Sequence, residues 1–263
     1  MRREVGELRS FYAGPLGAAA REMIGRKVLQ AWGDLHGLDV LALGYATPFL
    51  GQGQTYARRV VAAMPGAQGV EAWPAGGHNL ACLADEGSLP FPNALFDRIL
   101  IVHGLEEADS PVGFLREAHR VLAPSGRVII AAAARNGLWA NAETTPFGHG
   151  RPFTRRQLEQ LVRDAELEPM AWSRALYAPP AAWLTRRAGL FEQLGARLWP
   201  GFAGLILLEA VKQTFAVKPR GLAAPARVLI PGAASPAPAG RVLKSDSASR
   251  EPSQGLGGGM QTP

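Results

Sequence analysis

Six short apolar runs, each set apart by turn-forming or amphipathic residues, limit the folds open to this chain more than any other feature. They read LDVLALG (38–44), RRVVAAM (58–64), HNLACLA (78–84), FDRILIVH (96–103), GRVIIAAAA (126–134) and AGLILLEAVKQTF (203–215). Most are apolar on both faces instead of alternating, the pattern of strands buried on both sides of a largely parallel sheet. Helical patterns lie between them. SPVGFLREAHRVL has Ser110 as a cap, Pro111 in the first turn and a stripe of Phe114, Leu115, Ala118, Val121 and Leu122. TRRQLEQLVRDA repeats the design, with Thr154 as cap and Leu158, Leu161 and Val162 facing inward. Residues 4–31 are helical in pattern but must break at Gly14-Pro15, and residues 182–199 form another expected helix. The expected fold is α/β: a Rossmann-like, doubly wound, mostly parallel seven-stranded sheet with an antiparallel edge strand and helices on both faces.

Three segments follow: an N-terminal helical segment (1–37), the α/β domain (38–218), and a tail rich in Pro, Gly, Ala and Ser (219–263). The tail has too few periodic apolar residues to offset its ordering entropy and is expected to be disordered. It also holds half of the net charge of +6, with Arg220, Arg227, Arg241, Lys244 and Arg250 against Asp246 and Glu251. The remaining charge forms no basic stripe interleaved with aromatics, so a nucleic-acid partner is not expected. The single cysteine, Cys82, excludes an internal disulfide and sits in an apolar run as a small core residue. No Cys/His cluster has zinc spacing. No apolar run reaches the roughly 18 residues of a membrane helix, and MRREVGELRS lacks the apolar core of a signal peptide. Neither membrane insertion nor a metal is expected, and the cytoplasm is the expected compartment.

In open α/β sheets the ligand lies beyond the carboxyl ends of the strands, at the switch point. Gly44–Pro48, the segment after Met64, Asp85 and His103 therefore border one crevice. Across residues 84–130, Asp85, Leu89-Pro90-Phe91, Phe96-Asp97 and Arg120-Val121-Leu122 occur in the order and spacing of a known family. Over roughly residues 38–170 the chain resembles the class I S-adenosylmethionine (SAM)-dependent methyltransferases, and within them the small-molecule branch that includes the quinone-biosynthesis enzymes. The resemblance implies SAM as cofactor and a small-molecule acceptor. It places Gly44, Tyr45 and Ala46 at the cofactor turn and Asp85 against the adenine amino group. Ser88 and Leu89 would line the adenine pocket, and His103 would touch cofactor or substrate. The segment 135–154 stands where the family builds a lid, with His149 as a candidate to take a proton from the acceptor.

The cofactor turn departs from the family's pattern of an acid followed by three alternating glycines. Ala42 replaces the acid, Ala46 and Pro48 replace two glycines, and only Gly44 is kept. Thr47-Pro48 suits a helix start, although proline offers no N–H to a carboxylate. The acid that would hold the ribose hydroxyls is replaced by Met64, followed by Pro65. A charge-assisted hydrogen bond contributes about 1.5–3 kcal/mol, so each lost acid weakens binding about ten- to a hundredfold. Tyr45, Gln52, Gln54, Glu71 and His78 are the nearby groups able to compensate. The expected function is SAM-dependent methylation of an unidentified small molecule. The alternative is a non-catalytic binding or scaffolding protein on the same fold. A dinucleotide-dependent dehydrogenase is disfavoured because no G-x-G-x-x-G follows the first strand.

Overall fold

The computed structural model describes residues 2–50, 56–181, 183, 194–195, 198, 200–213 and 227–228, all within one compact unit, Met1–Pro231. The N-terminal helical pattern forms two helices, α1 (Val5–Ala13) and α2 (Pro15–Trp32), parted at Gly14 as expected. Pro15 opens α2, where its missing N–H costs nothing, and Gly17 packs so tightly on the Phe11 carbonyl that a Cβ would lie 2.0 Å from it.

The strands are β1 (Asp39–Gly44), β2 (Arg59–Pro65), β3 (Ala81–Ala84), β4 (Phe96–Val102), β5 (Leu122–Ala133), β6 (Glu168–Ala175), β7 (Leu205–Val211) and β8 (Arg227–Val228). They make one sheet in the order β3-β2-β1-β4-β5-β7-β6-β8. The pairs β3–β2, β2–β1, β1–β4, β4–β5 and β6–β8 are parallel, whereas β7 runs antiparallel to both neighbours. The antiparallel strand thus sits inside β6. Helix α4 (Arg155–Asp164) carries the chain from β5 to β6 but leaves one strand's width open, and β7 returns into that gap.

Neighbouring residues on each central strand serve opposite cores. Val40, Ala42, Val102 and Ala131 join the core under α1 and α2. Leu41, Leu43, Ile101 and Ile130 join the core under α3 (Pro111–Val121) and α4. Ser110 caps α3 by accepting from the Gly113 amide, and the stripe Phe114, Leu115, Ala118 and Val121 is buried as expected. Each large side chain of that stripe contributes about 1.5–3 kcal/mol. Thr154 and Gln157 form a reciprocal capping box on α4.

Three expectations need correction. Thr47-Pro48 starts only a 3-10 turn, Thr47–Phe49, whose cap position is Ala46, not Thr47; among the described residues no helix follows β1. Strand β6 carries no strong apolar run, because its inward positions are Pro169, Ala171, Ser173 and Ala175. Two residues of the tail, Arg227 and Val228, pair with Ala171 and Trp172 of β6. The rest of the tail, most of the expected helix 182–199, and Gln52 and Gln54 lie outside the described residues. Among the described residues no helix is long and apolar enough to cross a membrane, and no group of three metal-binding side chains occurs.

Candidate functional site

The carboxyl ends of β1 and β4 meet at the turn the sequence singles out. Gly44 has φ +80°, and a Cβ there would lie 2.4 Å from the Val102 carbonyl oxygen. Glycine is therefore required by the packing of β1 on β4. The next amide, Tyr45 N–H, donates to the same Val102 carbonyl at 2.8 Å. Tyr45 and Ala46 are both buried. The turn thus spends its first N–H inside the sheet, and no described helix N-terminus follows it to hold an anion.

Above this turn the crevice is filled by rings. Tyr12, from α1, stacks on Tyr45 with centroids 5.9 Å apart and meets Phe49 edge-on at 5.3 Å. Its hydroxyl lies 2.6 Å from Nε2 of His103, the residue that ends β4 in a left-handed conformation with φ +50°. Phe147 closes on the other side of the imidazole at 4.8 Å and packs edge-on against Trp139. Burial pushes the His103 pKa down to about 3 and raises that of Tyr12 well above its ordinary value, so both partners are neutral.

Beside this cluster, a cavity of about 720 Å³ opens over the ends of β2 and β3. Its walls include Pro65, Gly66, Ala67, Ala84, Asp85 and Glu107, with Arg2 entering from the N-terminal segment. Asp85 is exposed at this wall, and its Oδ1 accepts from the Gly87 amide at 2.8 Å. Ser88 is exposed beside it, closing a bridge back to Asp85. Leu89 points elsewhere: it belongs to the core beneath α3, and its amide donates to Glu117. Met64 is fully buried and presents no polar group to the crevice. Among the compensating candidates, Glu71 accepts from the Tyr45 hydroxyl at 2.8 Å and lies 3.7 Å from Arg9, while His78 is exposed.

The expected lid contains two 3-10 turns, Leu138–Asn141 and Pro146–Gly148, pinned by a hydrogen bond from Trp139 Nε1 to the Ala178 carbonyl at 2.7 Å. His149 is half-buried, with Nε2 against an Arg3 guanidinium nitrogen and 2.7 Å from the Glu143 carbonyl oxygen. It is thus tied to the N-terminal segment, whereas His103 lies under Tyr12. A second, shallower hollow of about 540 Å³ lies among Glu106, Arg135, Gly150, Arg151 and Pro152.

Three residues at the crevice escape sequence reasoning. Glu106 is buried; one carboxyl oxygen accepts from the Ala133 amide at 3.1 Å and the other has no partner. Burial pushes its pKa up to about 7. Only its position just past β4 hinted at this. Tyr12 and Arg2 gave no local signal, because their partners lie about 90 residues away in the chain.

SAM fits one half of this site and not the other. The cavity, within the roughly 300–1,000 Å³ span of ligand pockets, has room for a nucleoside beside Asp85. The amino-acid end would meet Tyr12 and a turn that offers neither a free amide at Tyr45 nor an N–H at Pro48.

Comparison with known proteins agrees with the fold. Residues 43–130 match the family model described as a methyltransferase domain. A ubiquinone/menaquinone biosynthesis C-methyltransferase of Coxiella burnetii is 47% identical over 47 residues, 18% of this chain and 19% of that protein. A demethylmenaquinone methyltransferase of Tropheryma whipplei is 42% identical over 52 residues, 20% of this chain and 22% of that protein. The matched segments thus span about a fifth of these relatives. A SAM-dependent methyltransferase structure from Thermotoga maritima superposes with a TM-score of 0.55 at 17% identity, covering 80% of this chain and 96% of that one. One from Mesorhizobium loti gives 0.51 at 17% identity, covering 75% and 100%.

Proposed function

We propose that this chain, which over residues 43–130 belongs to the methyltransferase-domain family, is a SAM-dependent methyltransferase acting on a small-molecule acceptor. The observation that carries the reading is the cavity over β2 and β3, bordered by Asp85 and the Pro65–Ala67 backbone at the switch point of a methyltransferase-type sheet. When bound, the cofactor supplies an already activated methyl group, so the protein's part is to align an acceptor and exclude water. Asp85 is the residue we assign to the adenine end, with Ser88 beside it. Gly44, Tyr45 and Ala46 shape the turn, and Leu89 supports the loop from beneath. His103, beneath the lid, and His149, within it, are assigned to the acceptor side.

A second reading, a non-catalytic binding protein on this fold, is favoured by one observation: Tyr12 packs onto the turn at Tyr45, while Ala42 and Met64 stand where the family's two cofactor-binding acids would be. Titration calorimetry with S-adenosylhomocysteine separates the two. The enzymatic reading expects saturable binding that Asp85→Ala weakens about tenfold. No heat up to millimolar ligand would favour the binding-protein reading.

A further inference from the structure

The segment from Arg2 to Ala13 is built across the mouth of the crevice and fastened at both ends. At one end, Arg2 enters the cavity with its side chain only 6% exposed. It donates to Glu86 at 2.5 Å and to the Gly104 carbonyl at 3.2 Å. The Arg3 amide donates to Glu107 at 3.0 Å, and its guanidinium reaches the Glu143 carbonyl and His149 of the lid. The Val5 amide donates to the Gln68 carbonyl at 2.8 Å, just past β2. At the other end, Tyr12 bonds His103 and stacks on Tyr45.

The seal is imperfect in a telling place. Gln68 Oε1 and Glu106 Oε2 are buried without a hydrogen-bond partner, and buried Arg2 Nε has only a 4.0 Å ion pair with Glu107. Buried polar atoms are normally satisfied, and an orphan costs about 1–3 kcal/mol. Arg2 lines the cavity, Gln68 adjoins its Pro65–Ala67 wall, and Glu106 follows the turn that carries His103. A second arrangement of this crevice, with the arm displaced and a polar ligand present, would give such groups partners. The arm combines these polar contacts with Leu8 and Tyr12, which join the same core as Ala20, Met23, Ile24 and Val28 of α2, but α1 is the shorter helix and places fewer side chains there. Gly14-Pro15 separates the two helices and supplies a hinge position.

We propose that the Arg2–Ala13 arm is an intramolecular competitor for the cofactor site, with Tyr12 standing in the place of the cofactor's amino-acid end and Arg2 reaching into the nucleoside cavity. The proposal rests on the cofactor reading above. A ligand that binds only the arm-displaced state has its apparent affinity reduced by the fraction of molecules in that state. Weakening the arm's fastenings therefore tightens binding of a ligand with an amino-acid tail, and affects a tail-less nucleoside less.

The test uses the full chain, an Arg2→Ala/Arg3→Ala double variant, and Tyr12→Phe, which keeps the ring but removes the bond to His103. S-adenosylhomocysteine and adenosine are titrated into each by calorimetry. Deuterium uptake of amides 5–13 is then followed with and without each ligand. Expected are at least about tenfold tighter S-adenosylhomocysteine binding in the double variant, and faster exchange of amides 5–13 in the full chain when that ligand is bound. Adenosine is expected to change both readouts less. Binding of S-adenosylhomocysteine that leaves the arm equally or better protected, with affinity unchanged in both variants, would overturn the competitor and leave the cofactor reading standing. An absence of binding in the full chain and in both variants would overturn the cofactor reading itself, and the competitor with it.

Discussion

His103 and Glu106 follow β4 three residues apart, and burial drives their protonation in opposite directions. Glu106 has its folded pKa raised to about 7 from 4.5, so its stabilising share is full below pH 4.5 and is lost as pH rises through 7. His103 has its folded pKa lowered to about 3 from 6.5, so its share is full above pH 6.5 and is lost as pH falls toward 3. Between pH 4.5 and 6.5 each contributes a slope of up to about 1.4 kcal/mol per pH unit, with opposite signs. Removing either partner should expose the other. Glu106→Gln is expected to make stability climb by roughly 2–3 kcal/mol from pH 4.5 to 6.5, and His103→Gln to make it fall by a similar amount. Urea unfolding midpoints across that window check both signs. Asp85 was legible in the sequence because its loop is local: the acid, the turn and the following Leu-Pro-Phe all lie within seven residues. The Tyr12–His103 contact was not legible, since nothing around Tyr12 announces a partner just past β4.

At the scale of elements, caps and breaks were the most readable features. Ser110 and Pro111, Thr154 and Gln157, and Gly14-Pro15 act through neighbours one to four residues away, so composition and spacing reveal them. Thr154→Ala is expected to destabilise the protein by about 1 kcal/mol through loss of the capping box, read as a lowered urea midpoint with unchanged slope. Strand β6 is a different case. Its pairing with β7 is set by partners 30 or more residues away, and its inward face is small or polar, so no apolar period marks it. Trp172 on that strand packs partly against the core and lies under two guanidinium groups, Arg155 at 4.4 Å and Arg174 at 5.0 Å. The turn after β1 misled for a related reason: Thr47-Pro48 has the chemistry of a helix start, but at Thr47–Phe49 it opens a 3-10 turn.

For the whole molecule, alternation of strands and helices foretold the parallel sheet and both cores, because each depends only on the period of apolar residues. What alternation does not carry is which helix covers the crevice. Here α1 and α2 arrive from the N-terminus and pack on the face that also holds Tyr45, Phe49 and Leu50. The arm and the segment that follows β5 are also joined to each other: Phe11 meets Phe147 edge-on at 6.4 Å, and Arg3 holds Glu143 and His149. Lifting one loosens the other. Events on the two sides of the sheet's switch point are therefore energetically linked, and linkage is reciprocal. Under the proposed methyl transfer, a donor analogue and an acceptor should each tighten the other's binding by the same factor, which calorimetric titrations in both orders of addition would check.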